Sequence, residues 1–239
     1  MRARTLAACL MAGGLVAALP IPAIAGDFAE RSILGFSPNG DRFAFEEFGV
    51  QDGSGFPYAN LFVLDTTRDS WVAGTPVRVR LDDETKGVPA ARSAAAQKAA
   101  ALLDGIDQPG TLLASNPITE SGRDPYSIAF RRHPVQQLDG PELTVSLTPI
   151  PLAAPENSDP EYKTQGFRLV LKDERGETVL HEDKTLPASR GIALDYRIND
   201  VIIHQRFGQP ATLVVLVMVL TRGFEGPDGR YIAVATQLP

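Results

Sequence analysis

The chain has 239 residues and 25.7 kDa, with 44% hydrophobic and 22% charged residues, enough apolar content for a real core. That excludes a disordered acidic tail and a collagen-like fibre, and a single cysteine excludes a disulfide-stapled mini-scaffold. Lys+Arg 23 against Asp+Glu 29 gives a net charge of −6, so the cation surplus behind nucleic-acid affinity is missing and no nucleic-acid partner is expected.

The first 25 residues read as a secretory signal peptide. Arg2 and Arg4 precede an uncharged stretch from Leu6 to Leu19, Pro20 and Pro22 interrupt it, and Ala23-Ile24-Ala25 offers a small-x-small cleavage site before Gly26. The stretch is too short to span ~30 Å of hydrocarbon comfortably, which argues against an anchor. Leu6-Ala7-Ala8-Cys9 matches a lipoprotein box in its letters, but it opens the apolar stretch instead of closing it. The expected location is periplasmic or secreted, with no membrane span after cleavage. Cleavage removes two arginines, no acid and the only cysteine, leaving 21 basic against 29 acidic residues, net −8. The mature chain then has no thiol for a nucleophile, a disulfide or a metal site.

In chain order, Ser32–Phe36 reads as a strand, Ser37-Pro38-Asn39-Gly40 as a type I turn, and Arg42–Phe48 as its partner strand. Residues 51–57 read as loop, Asn60–Leu64 as an apolar strand, and Trp71–Leu81 as a strand region broken by Gly74 and Pro76. One helix is expected near 89–104. It is alanine-rich, has Pro89 in its first turn, carries Ala91, Ala95, Ala99 and Leu102 at helical spacing, and ends at Gly105.

Thereafter the pattern is β again. Thr111–Ala114, Ser127–Arg131 and Leu143–Pro149 are strands, and Pro149–Pro160 is a Pro-rich loop. Phe167–Lys172 and Thr178–Glu182 form a hairpin across Asp173–Gly176. Ile192, Leu194, Tyr196 and Ile198 alternate, and Val201–His204 continues them past a bulge or turn at Asn199-Asp200. Ala211–Leu220 is a ten-residue apolar run, read as a strand buried on both faces. Tyr231–Ala235 is the last strand.

Phe36–Phe45 and Phe224–Val234 echo one another as strand, Pro-(Asn/Asp)-Gly turn, strand, so Gly40 and Gly229 are expected to close equivalent hairpins. The first copy resembles one blade of a TolB-like or WD-type β-propeller, but a propeller needs four or more such blades. The segments 34–40, 45–60 and 223–228 together resemble domain-of-unknown-function family 2259, predicted secreted bacterial proteins. That resemblance implies export and supplies no activity or catalytic residue.

The sequence shows no H-E-x-x-H, G-x-S-x-G, P-loop or dinucleotide glycine pattern. His133, His181 and His204 stand apart in sequence, and the acidic clusters at 82–84 and 156–159 lack the spacing of a calcium loop. No cofactor and no metal are expected. The segment Glu46–Asn60 mixes acids, glycines and aromatics in a way that suits recognition, and Asp52, Ser54, Phe56, Tyr58 and Asn60 are its candidate binding residues. The competing reading is a structural connection whose aromatics pack on the core.

The expected fold is mainly β, a twisted antiparallel sheet or sandwich over residues 26–239 with one inserted helix, or alternatively a partial propeller. The expected function is non-catalytic binding of an envelope protein or small ligand. The alternative is a hydrolase acting on cell-envelope material.

Overall fold

The structure, a computed structural model, describes residues 26–120, 122–133, 140–154 and 163–238. The expected signal peptide and the end of the 149–160 stretch lie outside the described residues. An N-terminal sheet holds β1 (Glu30–Phe36), β2 (Arg42–Val50), β3 (Pro57–Asp65), β4 (Ser70–Trp71) and β5 (Val77–Arg80), with β4 and β5 both paired to β3. Helix α1 (Val88–Leu103) and β6 (Thr111–Ser115) follow. A third sheet is built from β7 (Ser127–Phe130), β8 (Leu143–Leu152), β9 (Thr164–Asp173) and β10 (Gly176–Glu182), in the order β10-β9-β8-β7. The chain closes with β11 (Ala193–His204), β12 (Ala211–Arg222) and β13 (Pro227–Leu238), which with β6 form a central sheet ordered β13-β12-β11-β6. All strand pairs within the three sheets are antiparallel.

Strand β12 shows why the sheets stack as they do. Leu213, Val215, Val217 and Val219 share a core with Val145, Leu147, Phe167 and Leu169 of the third sheet. The alternate residues Val214, Leu216 and Met218 share another with Phe36, Phe43, Phe45 and Phe62 of the N-terminal sheet. Side chains alternate along a strand, so a strand packed on both faces must be apolar at both parities, and the unbroken run satisfies that. Each such side chain contributes ~1.5–3 kcal/mol on burial. The central sheet is therefore the filling of a three-sheet stack.

Helix α1 covers the outer face of the N-terminal sheet. Ala91, Ala95 and Ala99 are buried against β2, β3 and β5, where a methyl side chain lets the helix approach closely. Gly105, at φ +71°, follows the helix end in the left-handed conformation that favours glycine. The break at Asn199-Asp200 is a shift of register between Ile198 and Asp200, a bulge within β11 and not a turn.

The two Pro-(Asn/Asp)-Gly segments are not equivalent. Gly40, at φ +74°, closes the β1–β2 turn and donates to the Ser37 carbonyl at 2.9 Å. Gly229 lies inside β13, opposite Leu220, and the β12–β13 turn is instead closed by Gly223 N–H to the Gly226 carbonyl at 2.8 Å. Glycine is required at 229 by crowding, since a Cβ there would sit 2.6 Å from Phe28 Cδ1 and 2.9 Å from Met218 Sδ. The second expected hairpin thus fails to match the first.

Candidate functional site

A cleft of about 890 Å³ opens where the N-terminal sheet, the edge of the central sheet and residues 187–192 meet. Its floor is one face of β3. Alternation places Asn60, Phe62 and Leu64 on that face, and Asn60 lies in register between Glu47 of β2 and Arg78 of β5. Trp71, opposite Leu64 in the β3–β4 pair, packs its ring 5.3 Å from Phe62 at 47° and is 37% exposed. It is the only tryptophan of the chain. Residues 230–234 of β13 form a second wall, and His181 with residues 187–192 a third.

Arg78, Arg190, Arg222 and Arg230 line this cleft against Glu47 and Asp69. An arginine not neutralised by a carboxylate in such a cleft would be suited to an anion. Arg190 is tied to Asp183 and Arg230 to Asp27. Arg78 is exposed and, among the described residues, forms no hydrogen bond or ion pair, although its charge acts on Glu47.

Glu47 is 3% exposed; its Oε1 accepts from Asn60 Nδ2 at 2.9 Å and its Oε2 from the Tyr231 N–H at 2.8 Å. Burial pushes its carboxyl above the ordinary range, against those two hydrogen bonds and the pull of Arg230 and Arg78. Asp69 accepts from the Ala235 N–H at 2.7 Å, and burial raises its carboxyl too, against that amide and His181. Both acids thus cap the outer edge of β13. The amides they cap are four residues apart, which places the two caps roughly 13 Å apart along the strand. Among the described residues no group of three His, Cys, Asp or Glu is placed to hold a metal ion.

The five candidates from the sequence are divided among three settings. Asn60 belongs to the cleft. Tyr58 is 6% exposed inside the core, donating its hydroxyl to Asp27 Oδ1 at 2.9 Å beneath the Arg230 guanidinium, 4.8 Å from the ring centroid. Asp52, Ser54 and Phe56 form the β2–β3 loop. There Ser54 Oγ donates to Gln51 Oε1 at 3.1 Å, and Arg80 lies over the Phe56 ring at 5.8 Å. Asp52 Oδ2 is buried without a partner among the described residues. Sequence reasoning missed Trp71, Arg78 and Arg230 as cleft residues. The run from Tyr58 to Leu64, apolar apart from Asn60, was the available signal that the strand begins before Asn60.

Among the described residues no helix is long and apolar enough to cross a membrane. A family model described as "Predicted secreted protein (DUF2259)" matches residues 44–237. Comparison with curated proteins and with solved structures found no significant match.

Proposed function

We propose, for a chain that belongs to the family of predicted secreted proteins DUF2259, that it is an exported periplasmic protein that binds a small anionic ligand in the arginine-lined cleft. The observation that carries this reading is Arg78, exposed and uncommitted among the described residues, in a cleft beside an exposed tryptophan face. Arg78 supplies charge-assisted hydrogen bonds, Asn60 supplies an amide, and Trp71 supplies a flat apolar platform. The hydrolase reading would need an acid or base at liberty in this cleft. Glu47 has both oxygens engaged, Asp69 stands too far away to act with it, and His181 is bonded to Asp183, so binding is the reading carried forward.

The single tryptophan makes the test direct. Titrating the exported protein with 2-naphthalenesulfonate, an aromatic anion, should change Trp71 emission saturably. Arg78→Ala should weaken that binding about tenfold, the scale of a lost charge-assisted hydrogen bond. The same variant should melt within ~1–2 °C of the parent, because the side chain is exposed. An emission change that never saturates, or one identical in Arg78→Ala, would overturn the assignment.

A further inference from the structure

Hydrogen bonds along β13 fix which of its backbone groups face outward. Gly229 donates to the Asp27 carbonyl and accepts from the Ala29 N–H, both at 3.0 Å, while the Tyr231 N–H goes to Glu47 and the Ala235 N–H to Asp69. In an antiparallel ladder the N–H and C=O of one residue point the same way, and that direction alternates from residue to residue. Residues 229, 231, 233 and 235 therefore all present their backbone groups away from β12. Ala233 alone among these four has no partner for its amide among the described residues. It lies in the cleft wall, between two amides capped by carboxylates. Backbone polar groups in such a place are expected to be satisfied.

We propose that Ala233 is the docking rung for a short, extended acidic peptide. One ligand residue would exchange two hydrogen bonds with Ala233, donating to its carbonyl and accepting from its amide, in the manner of strand addition. The capped amides at 231 and 235 confine pairing to about one residue, so side-chain or terminal carboxylates must supply the remaining affinity through Arg78, with Trp71 as an apolar face. This deepens the reading of the cleft as an anion site and rests on it. It differs in requiring a ligand with a donor and an acceptor at strand spacing, which a simple anion lacks.

The test uses Trp71 emission with three probes: 2-naphthalenesulfonate, N-acetyl-triglutamate amide, and the same peptide N-methylated at its central residue. The unmodified peptide should bind, and N-methylation should weaken it about tenfold or more, the loss expected when a backbone hydrogen bond in a cleft is left unmade. Ala233→Pro should weaken the unmodified peptide by a similar factor, since proline removes the amide yet is tolerated on an edge strand where its N–H would face outward. Equal binding of the two peptides to the parent protein would overturn the rung whether or not Ala233→Pro folds. Sulfonate binding without peptide binding would overturn the rung and keep the anion site. Binding of neither probe would overturn both.

Discussion

The two faces of the central sheet are packed in different chemistry. Toward the third sheet the core is mostly aliphatic, built of Leu, Val and Ile from β8, β9, β11 and β12. Toward the N-terminal sheet it is aromatic. Phe36 and Phe43 lie 4.8 Å apart, Phe45 and Phe62 stack at 4.6 Å, and Tyr58 and Tyr231 complete the group. The aromatic side also holds the buried acids Asp27, Glu47 and Asp200. Asp200 is gripped by Arg31 through two hydrogen bonds, of 2.5 and 2.7 Å, and by Ser115 at 2.7 Å. The aliphatic side carries its buried carboxylate, Asp183, at its rim, whereas the aromatic side holds three, and Glu47 among them lines the cleft.

The largest effect is expected at the rim of the aliphatic interface. Asp183 is buried, accepts from the Phe167 N–H at 2.9 Å, and is bonded to His181 and Arg190. Arg190 in turn lies over the Phe167 and Tyr196 rings. Asp183→Ala leaves a buried guanidinium and amide unpaired and should cost ~3–5 kcal/mol in urea unfolding. Burial opposes ionisation of Asp183, but His181, the Phe167 amide and Arg190 together hold it below the usual carboxylate range. Its contribution is therefore present above its unfolded value of 3.8 and lost as pH falls through the lower folded one. A cost under ~1 kcal/mol would mean that this ion pair contributes no more than a surface pair does.

On the aromatic side, Tyr58→Ala should cost ~3–5 kcal/mol, as truncating a buried ring does. Tyr58→Phe should cost about 1 kcal/mol, since Asp27 keeps Arg230 as a partner. If Tyr58→Ala melts like the parent, the ring is not part of what joins the two sheets.

The smallest effect sharpens the comparison through pH. Glu47 has a raised folded pKa, so its contribution is complete below its unfolded value of 4.5 and declines as pH rises through the folded one. Glu47→Gln has no proton to lose, and Asn60 can rotate its amide to accept from it. The parent should therefore lose stability relative to Glu47→Gln as pH climbs above 4.5. Parallel stability curves for the two proteins would place Glu47 outside the titrating set.

The layers were more legible in the sequence than the cleft. Seven successive apolar residues from Leu213 to Val219, four of them valine, favour a strand covered twice, and Asn199-Asp200 interrupts an alternation where the bulge lies. The expected helix, 89–104, matches α1 to within one residue at each end, and of its expected stripe Ala91, Ala95 and Ala99 are buried while Leu102 is partly so. The β12–β13 turn was misplaced because Pro227-Asp228-Gly229 has good turn chemistry, yet pairing runs on to Thr221–Asp228 and Arg222–Pro227 and leaves Gly223–Gly226 to turn. The cleft is a matter of register between distant strands. Glu47, Arg78 and Tyr231 become neighbours through ladders and a stacking that no local spacing encodes. Only Asn60 was anticipated, and for a surface that includes Asp52, Ser54 and Phe56 at the far side of a turn.

The central sheet takes three of its four strands from residues 193–238, which follow both outer sheets in the chain. A chain delivered N-terminus first completes both outer sheets before the layer that covers them exists. Until β11–β13 arrive, the phenylalanines of one sheet and the leucines of the other face water. Such long-range closure slows folding and exposes sticky intermediates. For a member of a predicted secreted family, the consequence lies in biogenesis: nascent or translocating chains should depend on a holding chaperone until residues 193–238 are released.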